Sequence, residues 1–124
     1  MYVAIDFDGT IVEHSYPAIG KPVPHALDVM KILQDAGYQL ILWTMRSGEE
    51  LREAVDYCTN NGINLYGINN NPTQSSWTTS PKCYAQIYID DAALGCPLTL
   101  VKDKRPYVDW WGVKELLQKQ GIID

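Results

Sequence analysis

Apolar residues in this chain arrive in short blocks separated by polar turns, and the blocks follow two different spacings. Tyr2 to Ile5, Tyr38 to Trp43, Asn64 to Ile68 and Gln86 to Ile89 are short runs rich in β-branched and aromatic residues, which read as strands. The Tyr38 to Trp43 run is almost wholly apolar, the mark of a central parallel strand buried on both faces. Between the runs, apolar residues recur at helical spacing. One helix is predicted from Pro24, as its first residue, to the stop at Gly37, with Ala26, Leu27, Met30, Ile32 and Leu33 on its apolar face. A second covers Glu49 to Asn61, with Leu51, Ala54, Val55 and Cys58 inside and Glu49, Glu50 and Glu53 in its first turns. A third, Val108 to Gln120, carries Trp110, Val113, Leu116 and Leu117.

This succession is β-α-β-α-β, for which right-handed crossovers and a parallel sheet are the default. The expected architecture is an α/β, three-layer Rossmann-like sandwich with a mainly parallel sheet of order 3-2-1-4, built as a single domain over residues 1–124. Leu98 to Val101 is a further extended segment, too close to the fourth strand for a parallel crossover, so its place as a fifth edge strand and its orientation stay open. Two stretches lack periodicity. Residues 13–24 carry Pro17, Pro22 and Pro24 and form a loop over the mouth of any site at the strand ends, with His14 and Tyr16 in it. Residues 69–81 are long for a connection and carry Trp77, which suits a partial lid anchored through that side chain.

The bulk properties narrow the function classes. A chain of 124 residues is long enough to bury a single core, so one site is expected. Its net charge of −5 argues against a nucleic-acid partner, and Lys102, Lys104 and Arg105, interrupted by Asp103, read as a solvated turn. No apolar run approaches the roughly 18 residues of a membrane span. Cys58, Cys83 and Cys96 are odd in number and lack metal-site spacing, which fits a reducing cytoplasm; Cys58 is expected in the core. The Trp110-Trp111 pair is expected in the core, with room for a contact between copies in a homo-oligomer.

The chemistry sits at the strand ends. The first run passes directly into Asp6-Phe7-Asp8-Gly9-Thr10, the second into Thr44-Met45-Arg46-Ser47-Gly48, and the fourth into Asp90-Asp91. In an open α/β sheet those ends are where ligands bind, and strand order 3-2-1-4 brings the first and fourth together. Asp6, Asp8, Asp90 and Asp91 then share one edge, where like charges require a cation, and all-oxygen ligation favours a hard one such as Mg²⁺. Thr44 and the amides near it offer an anion cradle, and Lys82, just before the fourth strand, is placed to reach the same acids. Taken alone, Asp-Gly is also a common turn dipeptide, and Thr44 or Ser47 a common helix cap.

Together these residues resemble the haloacid dehalogenase-like phosphohydrolases. Asp6-Phe7-Asp8-Gly9-Thr10 is similar to the first motif of that family, Thr44 to the second, Lys82 to the third and Asp90-Asp91 to the fourth. The resemblance implies a Mg²⁺-dependent phosphatase in which Asp6 attacks phosphorus and becomes an aspartyl phosphate, while Asp8 is acid and then base. It implies Mg²⁺ held by the Asp6 side chain, the Asp8 carbonyl and Asp90, with Asp91 assisting. Gly9, Thr10, Thr44 and Arg46 would hold phosphate oxygens, and Lys82 would offset negative charge. Neither long loop has room for a cap domain, so the resemblance is to minimal, capless members. The expected partner is a small-molecule phosphate ester, without a choice among sugar phosphate, nucleotide or polynucleotide end.

Two other classes stand beside this one. A receiver-like signalling domain also takes phosphate on an Asp, but at the end of the third strand, where this chain has Ile68-Asn69. A catalytically idle metal-binding interaction module needs the acids and no turnover.

Overall fold

The computed structural model describes all of residues 1–124. Its main sheet contains β1 (Tyr2–Ile5), β2 (Gln39–Leu42), β3 (Leu65–Ile68) and β4 (Ile87–Ile89), in the order β3-β2-β1-β4 and parallel throughout. The expected order is therefore present. Ile5 stands beside Leu42 on one side and Ile89 on the other, so the chain segments that follow these three strands emerge level with one another.

The helices are α1 (Ala26–Asp35), α2 (Gly48–Asn60) and α3 (Trp110–Lys119). Strand alternation explains where they lie. Val3, Ile5, Leu40, Leu42 and Ile89 point to one face and share a single core with Val29, Met30 and Leu33 of α1, Ala54 and Cys58 of α2, and Trp110, Val113 and Leu117 of α3. The opposite face carries Ala4 and Ile41, covered by Cys83 with Tyr2, Trp43, Tyr66 and Ala85 around them. Its third layer is thus the crossover between β3 and β4, residues 69–86, which contains one short 3₁₀ turn (Gln74–Ser76). Two leftward steps, β1 to β2 and β2 to β3, put both helical crossovers on one side; the return step to β4 must use the other.

Several local boundaries differ from the sequence expectation. The first helix begins at Ala26, not Pro24, because His25 takes a left-handed conformation (φ 66°) that cannot continue a helix. The last helix begins at Trp110, where Asp109 accepts the Gly112 amide at 3.2 Å; Val108 lies just before it in a strand. That strand, β6 (Tyr107–Val108), pairs antiparallel with β5 (Leu98–Thr99) in a separate two-stranded ribbon. The Leu98 segment is therefore not an edge of the main sheet. Of the tryptophan pair only Trp110 is core; Trp111 is 50% exposed, and its ring lies 4.2 Å from that of His25. The Cys58 thiol is fully buried, and burial pushes its pKa up to about 12. No helix is long and apolar enough to cross a membrane.

Candidate functional site

Main-chain bonds carry the sheet ladder one residue beyond its strands. Asp6 N donates to Ile89 O at 2.9 Å, Trp43 N to Ile5 O at 2.9 Å and Asn69 N to Leu42 O at 2.7 Å. These bonds fix the first residue after each strand, and a cavity of about 350 Å³ opens there, lined by Asp6, Trp43, Thr44, Met45, Asn69 and Asp90. It occupies the crevice that strand order predicts.

Asp6, Asp90 and Asp91 come together: each offers a carboxylate oxygen, and these atoms lie within 4.8 Å of one another. No Lys or Arg forms an ion pair with any of them. The result is visible in Asp6, whose pKa rises from 3.8 to about 8, first through burial, then through its hydrogen bond with Asp91 and the charge of Asp90. The Phe7 backbone and the Thr10 hydroxyl oppose that rise without cancelling it. Asp90 is also shifted upward, chiefly by burial, although the Ala92 amide donates to it at 2.8 Å. Clustered, hard oxygen donors short of positive charge fit a divalent cation.

Asp8 does not join this cluster. Its Oδ2 accepts from Arg46 Nε and its Oδ1 from Arg46 Nη2, both at 2.8 Å. Arg46 is only 2% exposed and its remaining donors reach main-chain carbonyls: Nη2 to Ala18 at 2.7 Å, Nη1 to Pro17 at 3.2 Å and to Glu50 at 3.3 Å. Every face of the guanidinium is thereby occupied, and the rings of Phe7 and Tyr16 lie 5.0 and 5.2 Å from it. The hydrogen bonds to Asp8 raise the Arg46 pKa further above its ordinary value. Arg46, expected at a phosphate, is instead a saturated link between the first motif, the 13–24 loop and α2.

The remaining expected residues divide. Thr44 lines the cavity with Asp6 and Asp90, but its amide donates to Asn69 Oδ1 at 2.7 Å and its hydroxyl accepts from Arg46 N at 3.2 Å. The Gly9 amide, expected at phosphate, donates to Val12 O at 2.7 Å. Thr10, expected there too, is fully buried; its hydroxyl donates to Asp6 Oδ2 at 3.1 Å and accepts from Asp91 N at 3.2 Å, so it braces the two acids against each other. Lys82 does not reach the acids. Its Nζ lies 5.8 Å from the Tyr88 ring centre, in a different pocket, because the chain between Pro81 and β4 runs along the opposite face of the sheet from the helices.

Three further residues shape the site. His14 Nε2 lies 2.9 Å from Asp91 Oδ2, which turns the expected mouth loop into a direct support for the acidic cluster. That contact explains Gly9: at φ +82° a Cβ would sit 2.1 Å from His14 Nε2 and 2.5 Å from Asp91 Oδ2. Asn69, at φ 55°, uses its side chain to hold the Thr44 amide; an Asn directly after a strand, a residue type that tolerates that conformation, is its only trace in the sequence. Trp110 Nε1 donates to Thr10 O at 2.7 Å and Val108 N to Gly9 O at 2.9 Å, so the C-terminal helix and ribbon clamp the first motif from behind.

The chain is similar to the solved structure of a conserved protein from Bacteroides thetaiotaomicron, with 38% sequence identity, a TM-score of 0.80, and 97% of this chain and 91% of that one covered. The chain belongs to that protein's family. The two chains thus share one fold over nearly the whole of both. No protein-family model and no curated protein matches the chain.

Proposed function

We propose that the protein is a Mg²⁺-dependent phosphohydrolase of the haloacid dehalogenase-like type, acting on a phosphomonoester through an aspartyl-phosphate intermediate. The observation that carries this reading is Asp6, fixed by the sheet ladder at the floor of an open cavity beside Asp90, Asp91 and Thr44.

Asp6, Asp90 and Asp91 are the side chains that would hold Mg²⁺, which when bound supplies positive charge to the phosphoryl oxygens and keeps Asp6 ionised. An Asp6 oxygen attacks phosphorus, and the phosphorus–oxygen bond to the leaving group breaks with its electron pair departing on that oxygen. Water then attacks the aspartyl phosphate, the phosphorus–Asp6 bond breaks, and inorganic phosphate leaves with Asp6 restored as carboxylate. Thr10 holds the reacting Asp6 in one rotamer, and Thr44 lines the phosphoryl side of the cavity. Asp8 handles the protons. Both of its oxygens accept from Arg46, so one of those bonds must open for Asp8 to give a proton to the leaving oxygen or take one from water. Lys82 is left out, since it lies over Tyr88.

The three cysteines are free thiols, which supports placing the protein in the cytoplasm. Ile68 and Asn69 at the end of β3 offer no acceptor Asp for a receiver-like role. The test is hydrolysis of an aryl phosphate with Mg²⁺, repeated with chelator and with Asp6→Asn. Hydrolysis that chelator stops and Asp6→Asn abolishes is expected; activity surviving in Asp6→Asn sinks the nucleophile assignment. Tight Mg²⁺ binding with no turnover on any phosphate ester makes the chain a metal-binding interaction module instead.

A further inference from the structure

The crossover on the helix-free face of the sheet builds a second pocket. Its volume is about 290 Å³, near the roughly 300 Å³ at which small-ligand pockets begin, which is room for a flat ring system and not for a large molecule. Aromatic surface is concentrated here: Trp77 is 61% exposed, Tyr84 39% and Tyr88 37%. Leaving that much ring area in water is costly unless something covers it.

These rings are held in place. Trp77 meets Tyr84 edge to face with centroids 5.1 Å apart, and the Tyr88 hydroxyl donates to Cys83 O. Beneath them Gln74 is 9% exposed and fully used: its Nε2 donates to Ser80 O at 3.1 Å and Lys82 O at 2.9 Å, and its Oε1 accepts the Tyr84 amide at 2.9 Å. One buried side chain thus ties together both flanks of the pocket, which makes the aromatic walls pre-formed.

The pocket also has a sign. Lys82 lies on its rim with Nζ 5.8 Å from the Tyr88 ring, and it forms no ion pair although the chain carries 15 acidic residues. No acidic residue lines the pocket. A ligand cation would be repelled, a bare anion would leave the rings uncovered, and an uncharged ring would leave the ammonium unused. Both needs are met by one molecule that joins a planar ring to an anion.

We propose that the pocket of Trp77, Tyr84, Tyr88 and Lys82 is a binding site for a nucleotide-class ligand, its base against the aromatic walls and its phosphate at Lys82. The site stands apart from the acidic cluster, and the inference does not depend on the phosphohydrolase reading.

Binding is measured by calorimetry on Asp6→Asn, so that turnover cannot interfere, with AMP, GMP, CMP and UMP, with their four nucleosides, and with ribose 5-phosphate; adenosine and ribose 5-phosphate are the two halves of AMP. At least one mononucleotide is expected to bind saturably, with the matching nucleoside and ribose 5-phosphate each weaker. Trp77→Ala should weaken it about tenfold, with Trp77→Phe recovering most of the loss. Lys82→Met should weaken the mononucleotide about threefold and leave the nucleoside unchanged, as befits an exposed charge. Three results overturn the proposal: no saturable binding of any of the four mononucleotides, ribose 5-phosphate binding as tightly as the tightest mononucleotide, or mononucleotide affinity indifferent to both Trp77→Ala and Lys82→Met. Should Trp77→Ala fail to fold, Lys82→Met and the two halves of AMP still decide.

Discussion

Arg46 grips Asp8 through two parallel hydrogen bonds of 2.8 Å, Nε to Oδ2 and Nη2 to Oδ1, at a position where the arginine is 2% exposed. A planar fork on a carboxylate is the strongest geometry such a pair adopts, and here it joins residues 38 apart in sequence. Arg46→Ala is expected to cost about 3 kcal/mol or more in urea unfolding, because it strands Asp8 and frees three loop and helix carbonyls. Arg46→Lys should recover only part of this, since an ammonium cannot reproduce the fork. An unchanged unfolding midpoint in Arg46→Ala would return the arginine to the phosphate role that its position after Thr44 suggests.

Asp6 gives a pH dependence with a definite sign. Its folded pKa, about 8, lies above the ordinary 3.8, so between these values the folded protein binds more protons than the unfolded chain. The stability that Asp6 contributes is complete below the lower value and is lost as pH rises through the upper one. Metal-free protein is therefore expected to melt at progressively lower temperature from about pH 5 to about pH 8. Asp6→Asn should flatten that slope, and Mg²⁺ should raise the melting temperature most at the alkaline end. A wild-type slope unchanged by Asp6→Asn would assign it to other groups.

His14, Gly9 and Asp91 behave as one unit. His14 Nε2 lies 2.9 Å from Asp91 Oδ2, and supports of this kind typically contribute tenfold or more to metal affinity. His14→Ala is expected to weaken Mg²⁺ or Mn²⁺ about tenfold in a calorimetric titration, with little change in fold. Gly9→Ala should lose both metal binding and stability, because its Cβ would meet His14 Nε2 at 2.1 Å. Removing the imidazole in the double variant should recover part of the stability but not the strain of φ +82°. Additive losses in the double variant would show that the two residues do not share the space.

The candidate site was legible where backbone direction alone delivers a residue. Asp6, Thr44 and Asp90 follow strands, and parallel strands in register must present their next residues at one edge. Side-chain destinations were less accessible. Thr10 and the Gly9 amide looked free because their partners, Asp91 and Val12, are recognisable only once the turn is folded. Lys82 looked close to the acids by sequence distance, yet the 69–86 crossover lies across the far face of the sheet and turns its ammonium toward Tyr88.

The sequence determined the periodicities, and through them the β-α-β-α-β run and the acids that follow its strands, because alternation and helical spacing act over a few residues; the order 3-2-1-4 is an expectation from the common doubly wound pattern, which the sheet bears out. Only the tertiary structure decided which acid goes where. Asp6, Asp90 and Asp91 cluster while Asp8 turns away to Arg46, and His14 reaches from the mouth loop to hold Asp91. Such pairings join residues far apart in the chain, and each is fixed by burial, exhausted donors and the room left by a glycine, none of which has a local period.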